Sequence, residues 1–244
     1  MLYEVPELYD ALFAPEPFLA HYSALAERHG GPILELACGT GQLTVPLARP
    51  DRRAVGIDCA LPMLEHARRR AERKGANVEF EAADMRSFER RERFPLIFVA
   101  RNSLLHLHTR EDLGACLTVV RRHLAPEGIF AFDIFNPDVK LLASDRRGRA
   151  PILKAVTETW GELIAEATGD YDAAAQVNRS TWYISAPNRP DAWVVNLDLR
   201  CIFPQELPLL LEAYGLRLLS RNGDFDGSPF TSASPRQICL CKPQ

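Results

Sequence analysis

The first part of the chain alternates short apolar runs with segments of helical period. The runs have the length of buried strands and lie at 32–37, 53–58, 77–84, 94–100 and 128–135. Helix-period segments include 60–75 and 109–126, the second opening with Thr109 and Asp112 in a capping-box-like pattern. Alternating strands and helices form parallel sheets with right-handed crossovers. The sequence therefore predicts an α/β fold whose parallel sheet is buried on both faces.

The pattern changes at about residue 150. Residues 150–201 are rich in Thr, Val, Trp and Tyr, with turn signals at Gly161, at Gly169–Asp170 and between Pro187 and Pro190. This predicts an antiparallel strand insertion that serves as a substrate lid or in dimerisation. Residues 1–149 and 202–244 are expected to form the main domain around it.

Further elements are predicted on either side of the insertion. Helical segments are expected at 15–30 and 204–215, strands at 216–222 and 236–241, and a loop at 223–235. All three tryptophans, Trp160, Trp182 and Trp193, fall in the insertion. They are expected to form the core of a small sheet or a dimer interface, or alternatively a roof over a substrate.

The composition of the chain indicates which classes of partner it can bind. The 244 residues are 47% hydrophobic and 25% charged with a net charge of −3, which is ordinary for a globular protein and lacks the basic footprint of a nucleic-acid binder. No run approaches a membrane span and no signal peptide is recognisable, so a cytoplasmic monomer or homodimer acting on a small molecule is expected. The six cysteines show no zinc spacing; Cys239 and Cys241 are predicted on one buried strand face, and no metal is expected.

A glycine-rich turn follows the first predicted strand, in ILELACGTGQLTVPLA at 33–48. Such a turn lets a ligand approach backbone amides, and an acid about 20 residues further on can bind a ribose diol. Asp58 stands at that place, at the end of the second strand. A dinucleotide fingerprint requires a third glycine where Thr44 stands, and no Walker lysine follows.

Four spaced motifs resemble those of class I S-adenosylmethionine-dependent methyltransferases: LELACGTG (34–41), GIDCALPML (56–64), AADMRSF (82–88) and FPLIFVARNSLLHL (94–107). YDALF, the insertion, DIFNPD and GDFDGSPF are most similar to bacterial small-molecule enzymes related to amino-sugar and glycine N-methyltransferases. The resemblance implies a doubly wound sheet of seven strands in the order 3-2-1-4-5-7-6, with the last strand antiparallel. It also implies methyl transfer from S-adenosylmethionine to an amine or hydroxyl.

The resemblance further implies a set of cofactor contacts. Asp58 would bind the ribose hydroxyls, and Asp84 would accept from the adenine amino group. The remaining expected contacts are Glu35, Ala37, Gly39, Thr40 and Gly41 at the methionine end and ribose, Cys59, Met63 and Met85 around adenine, and Tyr9, Tyr22 and Arg101 near the methionine carboxylate or substrate. Ala37 stands where the family usually has glycine, and Glu35 could instead accept from loop amides.

His106 is the candidate general base, with Asn102 and Ser103 as orienting groups; the alternative is a histidine that only packs or caps. Asp224 and Asp226 could bind a cationic amine or simply cap turns. A non-catalytic module that retains the fold is the alternative function. A nucleic-acid methyltransferase is disfavoured, because the segment after the fourth strand lacks an Asn-Pro-Pro-aromatic motif.

Overall fold

The computed structural model describes residues 2–244, which form two sheets and their covering helices. The α-helices are α1 (Pro6–Leu12), α2 (Phe18–His29), α3 (Thr44–Leu47), α4 (Leu61–Lys74), α5 (Arg110–His123), α6 (Val139–Ala143) and α7 (Glu206–Ala213), and 3-10 helices span Leu2–Glu4 and Ser103–His106. The strands are β1 (Ile33–Leu36), β2 (Ala54–Asp58), β3 (Val78–Ala82), β4 (Phe94–Val99), β5 (Leu124–Phe135), β6 (Ala150–Thr157), β7 (Gly161–Asp172), β8 (Val177–Ala186), β9 (Arg189–Asn196), β10 (Leu199–Arg200), β11 (Leu216–Asn222) and β12 (Arg236–Pro243).

The larger sheet has seven strands in the order β11-β12-β5-β4-β1-β2-β3. The first five strands of the chain pair in parallel, and β12 is antiparallel to both β5 and β11. Counted within this sheet alone, the order is 3-2-1-4-5-7-6 with the last strand antiparallel. The predicted α/β fold and strand order are therefore confirmed. The carboxyl ends of β1, β2 and β4 meet at one edge, where ligands bind in sheets of this type.

The centre of this sheet is buried, as its apolar runs predict, but its edge is not. All four residues of β1 are buried, whereas β3 exposes Glu79 and Glu81. The prediction of burial on both faces is wrong for β3, because it is the last strand and has only β2 beside it. Charged side chains on such an edge also discourage pairing with other chains.

The helices follow their predicted periodicity and caps. The helices predicted at 60–75, 109–126 and 204–215 correspond to α4, α5 and α7. Thr109 caps α5 by accepting from the Asp112 N–H at 3.0 Å, as its sequence pattern predicts. The predicted end of α5 is wrong by three residues, because Leu124 already pairs with Phe94 and opens β5.

The second sheet is antiparallel and comprises β10-β8-β7-β6, with β9 also paired to β8. The turn predicted at Gly169–Asp170 is wrong, because β7 runs through it and the chain turns at 173–176. A Cβ at Gly169 would lie 2.7 Å from the Arg146 guanidinium. The glycine therefore makes room for an arginine instead of bending the chain.

The amino-terminal segment packs on the inner face of the small sheet. Leu2, Leu8 and Leu12 share a buried cluster with small-sheet residues such as Leu163 and Ile184. Trp160, Trp182 and Trp193 are partly buried and pack against the same cluster. No helix of residues 2–244 has both the length and the apolar character needed to cross a membrane.

Candidate active site

The loop after β1 bends through three left-handed residues. Ala37, Gly39 and Gly41 have φ values of 57°, 53° and 70°. An L side chain is strained in this region, so Ala37 holds a conformation that glycine adopts more readily. The loop leads into α3, which has only four residues.

The two glycines of the loop have different reasons to lack a side chain. A Cβ on Gly41 would lie 3.1 Å from Phe80 and 3.2 Å from Ala67, so protein fills the space beside it. A Cβ on Gly39 would meet nothing within 4 Å. Only Gly39 therefore presents bare backbone to open space.

Asp58, at the end of β2, holds this loop in place. Its Oδ2 accepts from the Gly39 N–H at 2.8 Å, and its Oδ1 accepts from the Ala60 N–H at 2.9 Å. Burial raises the pKa of the carboxyl, while these backbone hydrogen bonds oppose the rise. Because a carboxylate oxygen can accept two hydrogen bonds, each oxygen retains capacity for a ligand hydroxyl.

Glu35 is a second carboxyl beside the loop. It lies on β1, is only 3% exposed and accepts a hydrogen bond from the Thr44 hydroxyl. Burial raises its pKa to about 8, against the opposing effects of Thr44 and of Arg101. In the free protein Glu35 is therefore mostly protonated at neutral pH, and a positively charged ligand would favour its ionised form.

The turn after β4 closes the other side of a small pocket. Arg101 has a φ of 59° and donates to the carbonyls of Phe13 at 3.3 Å and Ala14 at 2.9 Å, and to Gln42 Oε1 at 2.7 Å. The pocket is lined by Tyr9, Glu35, Ala37, Cys38, Thr40, Gln42, Leu43, Ala100, Arg101 and Ser103. The structure thus brings together the predicted site residues of β1, of its loop and of the β4 turn with Tyr9.

Other predicted contacts lie outside this lining. Tyr22 is fully buried and donates its hydroxyl to Asp133 at 2.7 Å, and Met63 is 1% exposed within α4. Cys59 is exposed directly after β2. Met85, after β3, packs against the main core.

Asp84 follows β3 at the expected edge, but its carboxylate faces a neighbour. Both of its oxygens accept from the Arg86 guanidinium, with distances from 2.6 to 3.0 Å. Arg86 accordingly lowers the pKa of Asp84. Contact with an adenine amino group would need this partly exposed ion pair to open.

Asp10 is a site residue that the sequence analysis did not select. Its carboxylate accepts from the Thr40 hydroxyl at 2.6 Å and from the Gln42 amide at 2.7 Å, and it pairs with Arg70 and His66. These contacts join α1 to the glycine loop and to α4. Its partners lie 30 or more residues away along the chain, and the only sequence signal was its place within YDALF.

His106 lies in the 3-10 helix that follows the β4 turn. A hydrogen bond of 2.9 Å joins its Nε2 to the Tyr3 hydroxyl, and burial lowers its pKa, which keeps the ring neutral at neutral pH. His108, two residues on, is exposed and bonds instead to the Asp198 carbonyl at 2.8 Å. The structure therefore separates the two histidines by environment.

A row of aromatic rings leads from His106 to the small sheet. Successive ring centroids are 5.8 Å apart for His106 and Tyr3, 6.1 Å for Tyr3 and Tyr9, 4.9 Å for Tyr9 and Phe13, and 6.0 Å for Phe13 and Trp182. We call these five residues the aromatic row. Rings of this kind stabilise positive charge near their faces.

The two predicted acids of the loop 223–235 behave as turn residues. Asp226 accepts from the Ser228 N–H at 2.9 Å, and Asp224 approaches Arg236 at 3.5 Å. Across residues 2–244, no group of three or more His, Cys, Asp or Glu side chains is arranged to hold a metal ion.

Glu35 of the pocket lining, together with Gly39 and Asp58 outside that lining, fits a cationic ligand with vicinal hydroxyls. Open space above Gly39 accommodates a group against bare backbone, Asp58 has acceptor capacity left, and Glu35 is a buried carboxyl whose ionisation a positive charge would favour. An S-adenosyl sulfonium nucleoside has these properties: a ribose diol, a sulfonium and an ammonium group.

Comparisons with known proteins agree with this chemistry. A family described as a methyltransferase domain matches residues 33–128. The cypemycin N-terminal methyltransferase of a Streptomyces species is 24% identical over 99% of this chain and 95% of its own. Other curated relatives match over only about half of their length, at 56% and 55%.

Solved structures share the fold of the whole chain. The CcbJ methyltransferase of Streptomyces caelestis has a TM-score of 0.83 at 22% identity, covering 98% of this chain and 96% of its own. CalS10 of Micromonospora echinaspora, an amino pentose methyltransferase with bound S-adenosylmethionine, has a TM-score of 0.66 at 18% identity, covering 93% and 89%. Residues 33–128 thus match a methyltransferase domain, and the chain as a whole shares the fold of solved S-adenosylmethionine-dependent methyltransferases.

Proposed function

We propose that the protein methylates an amine of a small natural-product-type molecule. The observation that carries this proposal is the aromatic row, which begins at the neutral His106 and includes Tyr9, a residue of the pocket lining. An amine develops positive charge as it accepts a methyl group, and aromatic faces favour such charge. The relatives named as an N-terminal methyltransferase and as an amino pentose methyltransferase support the same acceptor class.

The cofactor is proposed to lie along the carboxyl edge of β1, β2 and β4. Asp58 would accept from the ribose hydroxyls, while Glu35 and Arg101 would face the ammonium and carboxylate of the methionine end. Adenine would lie near Cys59, Met63 and Met85, with its amino group at Asp84 once Arg86 has moved. The Gly39 backbone would face the nucleoside directly.

Residues 150–201 are proposed to roof the acceptor together with α1. The small sheet and α1 share one core, and α1 is tied to the glycine loop through Asp10. Such a cover excludes water and holds the acceptor in attack geometry. Positioning of this kind can supply roughly 7–11 kcal/mol of the barrier.

When bound, the cofactor would supply the methyl group: an N–CH₃ bond would form as its S–CH₃ bond breaks, with a neutral thioether as the second product. An acceptor amine that is protonated must lose a proton before methyl transfer, and the methylated amine can lose one afterwards. We assign the uptake of this proton to His106, which would receive it through the Tyr3 hydroxyl that is hydrogen-bonded to its ring. A lowered pKa keeps His106 in the neutral form that this role needs.

The proposed function is tested with methyl-labelled S-adenosylmethionine and paired acceptors. Each pair consists of one amine and the alcohol of the same scaffold. The amines of the set include an amino sugar and a peptide amino terminus. We expect label in the amines and none in the alcohols. Labelled alcohols would overturn the amine assignment, and cofactor binding without turnover of any acceptor would favour the non-catalytic module.

Gly39→Ala is expected to weaken cofactor binding by about tenfold, because the added methyl group occupies the space proposed for the nucleoside. Gly75→Ala is the matched control. Gly75 has a φ of 58° against 53° for Gly39, and an added Cβ there also meets nothing within 4 Å, but it lies at the end of α4. Titration calorimetry should show the loss only for Gly39→Ala, and equal losses would contradict this placement.

His106→Ala and Tyr3→Phe are expected to lower kcat at neutral pH, with the deficit disappearing at high pH, where the acceptor amine is already neutral. The loss should be smaller than the factor of about 10² typical of proton transfer within a transition state, because here the proton is not transferred in that step. His108→Ala is the control. A deficit that is constant across pH would remove His106 from proton transfer.

The cytoplasm is the proposed compartment. All six cysteines are free and the net charge is only −3, which suits a reducing environment and a small-molecule acceptor over a nucleic acid.

A further inference from the structure

We propose that Asp133 is a positioning residue. It holds the turn after β4 by hydrogen bonds, and this turn forms one wall of the pocket described above. The inference rests on the proposed placement of the cofactor in this pocket. Asp133 does not line the pocket. It is the first residue of the DIFNPD motif, to which the sequence analysis gave no role at the site.

Asp133 lies on β5, directly beneath the turn. Its carboxylate is 2% exposed, and each of its oxygens is 3.0 Å from the Arg101 N–H. Oδ1 also accepts from the Tyr22 hydroxyl at 2.7 Å, and the Asp133 carbonyl accepts from the Asn102 N–H at 3.3 Å. Asp133 therefore accepts hydrogen bonds from the backbone N–H groups of both Arg101 and Asn102.

The turn needs such support because its backbone is strained. Arg101 and Asn102 are consecutive non-glycine residues with φ values of 59° and 62°. Left-handed residues of this kind persist only where surrounding contacts fix them. A second contact from β5 also stabilises the turn: the Asn102 Oδ1 accepts a hydrogen bond from the Phe135 N–H at 2.7 Å.

The turn determines the position of the pocket wall. Ala100, Arg101 and Ser103 line the pocket, and the Arg101 guanidinium reaches Gln42 of the glycine loop and the carbonyls of Phe13 and Ala14. A change at Asp133 that releases the Arg101 N–H would therefore shift the group proposed to bind the methionine end.

The charge of Asp133 gives the arrangement a pH signature. Burial raises its pKa to about 6, against the Tyr22 hydrogen bond, the Arg101 amide and the charges of Arg101 and Arg236. Other titratable groups packed nearby are Cys239 on β12 and His21, whose ring lies 5.1 Å from that of Tyr22. As the pH falls through about 6, the carboxyl gains a proton and its hold on the Arg101 N–H weakens.

The first test uses the free protein and needs no acceptor. In two-dimensional NMR, the Arg101 and Asn102 amide signals of the wild type should titrate together with a midpoint near pH 6. Asp133→Asn should abolish that titration and shift both signals. Arg101 and Asn102 amides that are insensitive to pH, or unchanged in the variant, would overturn the proposal.

The second test measures cofactor affinity by calorimetry. Asp133→Asn is expected to weaken S-adenosylmethionine binding by about tenfold. Tyr22→Phe should weaken it by less, because it removes only the hydroxyl that donates to Asp133 and, at 3.3 Å, to the Val99 carbonyl, and keeps the ring stacked on Phe98. Gln237→Leu is the matched control: Gln237 is equally buried on β12 but bonds to the Ile202 carbonyl and to Arg221.

Unchanged affinity in Asp133→Asn, or an equal loss in Gln237→Leu, would show that Asp133 has no positioning role. Should Asp133→Asn fail to fold, Tyr22→Phe decides through the same amide signals and affinity. Failure of the proposed amine chemistry would leave both readouts intact, so the two failures are distinguishable.

Discussion

Asp58→Asn is expected to weaken S-adenosylmethionine binding by about 100-fold, since hydrogen bonds from ribose hydroxyls to a carboxylate contribute about 1.5–3 kcal/mol each. The variant also replaces one of the oxygens that receive the Gly39 and Ala60 N–H groups. The loop that presents bare backbone and the acceptor for the ribose would therefore be damaged by one substitution. Calorimetry on the free protein measures the loss.

Asp172→Asn controls for the loss of turn hydrogen bonds. Asp172 Oδ1 accepts from the Ala174 and Ala175 N–H groups at 3.1 and 3.0 Å, as Asp58 accepts from two backbone N–H groups, but it lies in the small sheet. We expect its variant to bind the cofactor as the wild type does. Loss of affinity within twofold in Asp58→Asn would remove Asp58 from the ribose site.

Periodicity predicted the centre of the larger sheet because β1, β2 and β4 are largely apolar runs, which burial on both faces accommodates. The strand order came from the resemblance, since apolar runs carry no information on which strands are neighbours. The turn at Gly169–Asp170 was mispredicted for a local reason: glycine there avoids Arg146, a tertiary contact that turn propensity does not include. The real turn, at 173–176, is rich in alanine and carries no turn signal.

The residues of the candidate site also differ in whether the sequence could identify them. Gly39 and Asp58 could be selected because a loop after one strand and an acid after the next meet at a fixed edge of a parallel sheet. Asp10, Tyr3 and Asp133 could not, because their partners Thr40, His106 and Arg101 lie between 30 and 103 residues away along the chain. Buried polar contacts over such separations leave no periodic pattern in the sequence.

Glu35 gives the second large expected effect: cofactor affinity that rises with pH up to about 8, and a Glu35→Gln variant that lacks this dependence. Burial raises the pKa of Glu35 to about 8, so the carboxyl of the free protein is protonated below that pH. The positive charge of the bound methionine end would favour the carboxylate, and binding would release a proton. Affinity should then rise by up to about tenfold per pH unit below that value.

The same ionisation acts on stability with the opposite sign, which separates a binding role from general damage. In the unfolded chain Glu35 ionises at its ordinary pKa of 4.5, whereas the folded carboxyl stays protonated until about 8. The free energy of unfolding therefore decreases as the pH rises through this interval, and the Glu35→Gln variant should lack this decrease. At about pH 8 the variant should thus be more stable than the wild type yet bind the cofactor more weakly. Calorimetry and chemical denaturation across this range measure both quantities, and Asp172→Asn serves as control because Asp172 lies on β7 of the small sheet and does not line the pocket. A wild-type affinity that does not change with pH, or an equal slope in Glu35→Gln, would exclude Glu35 from contact with the cationic end of the cofactor.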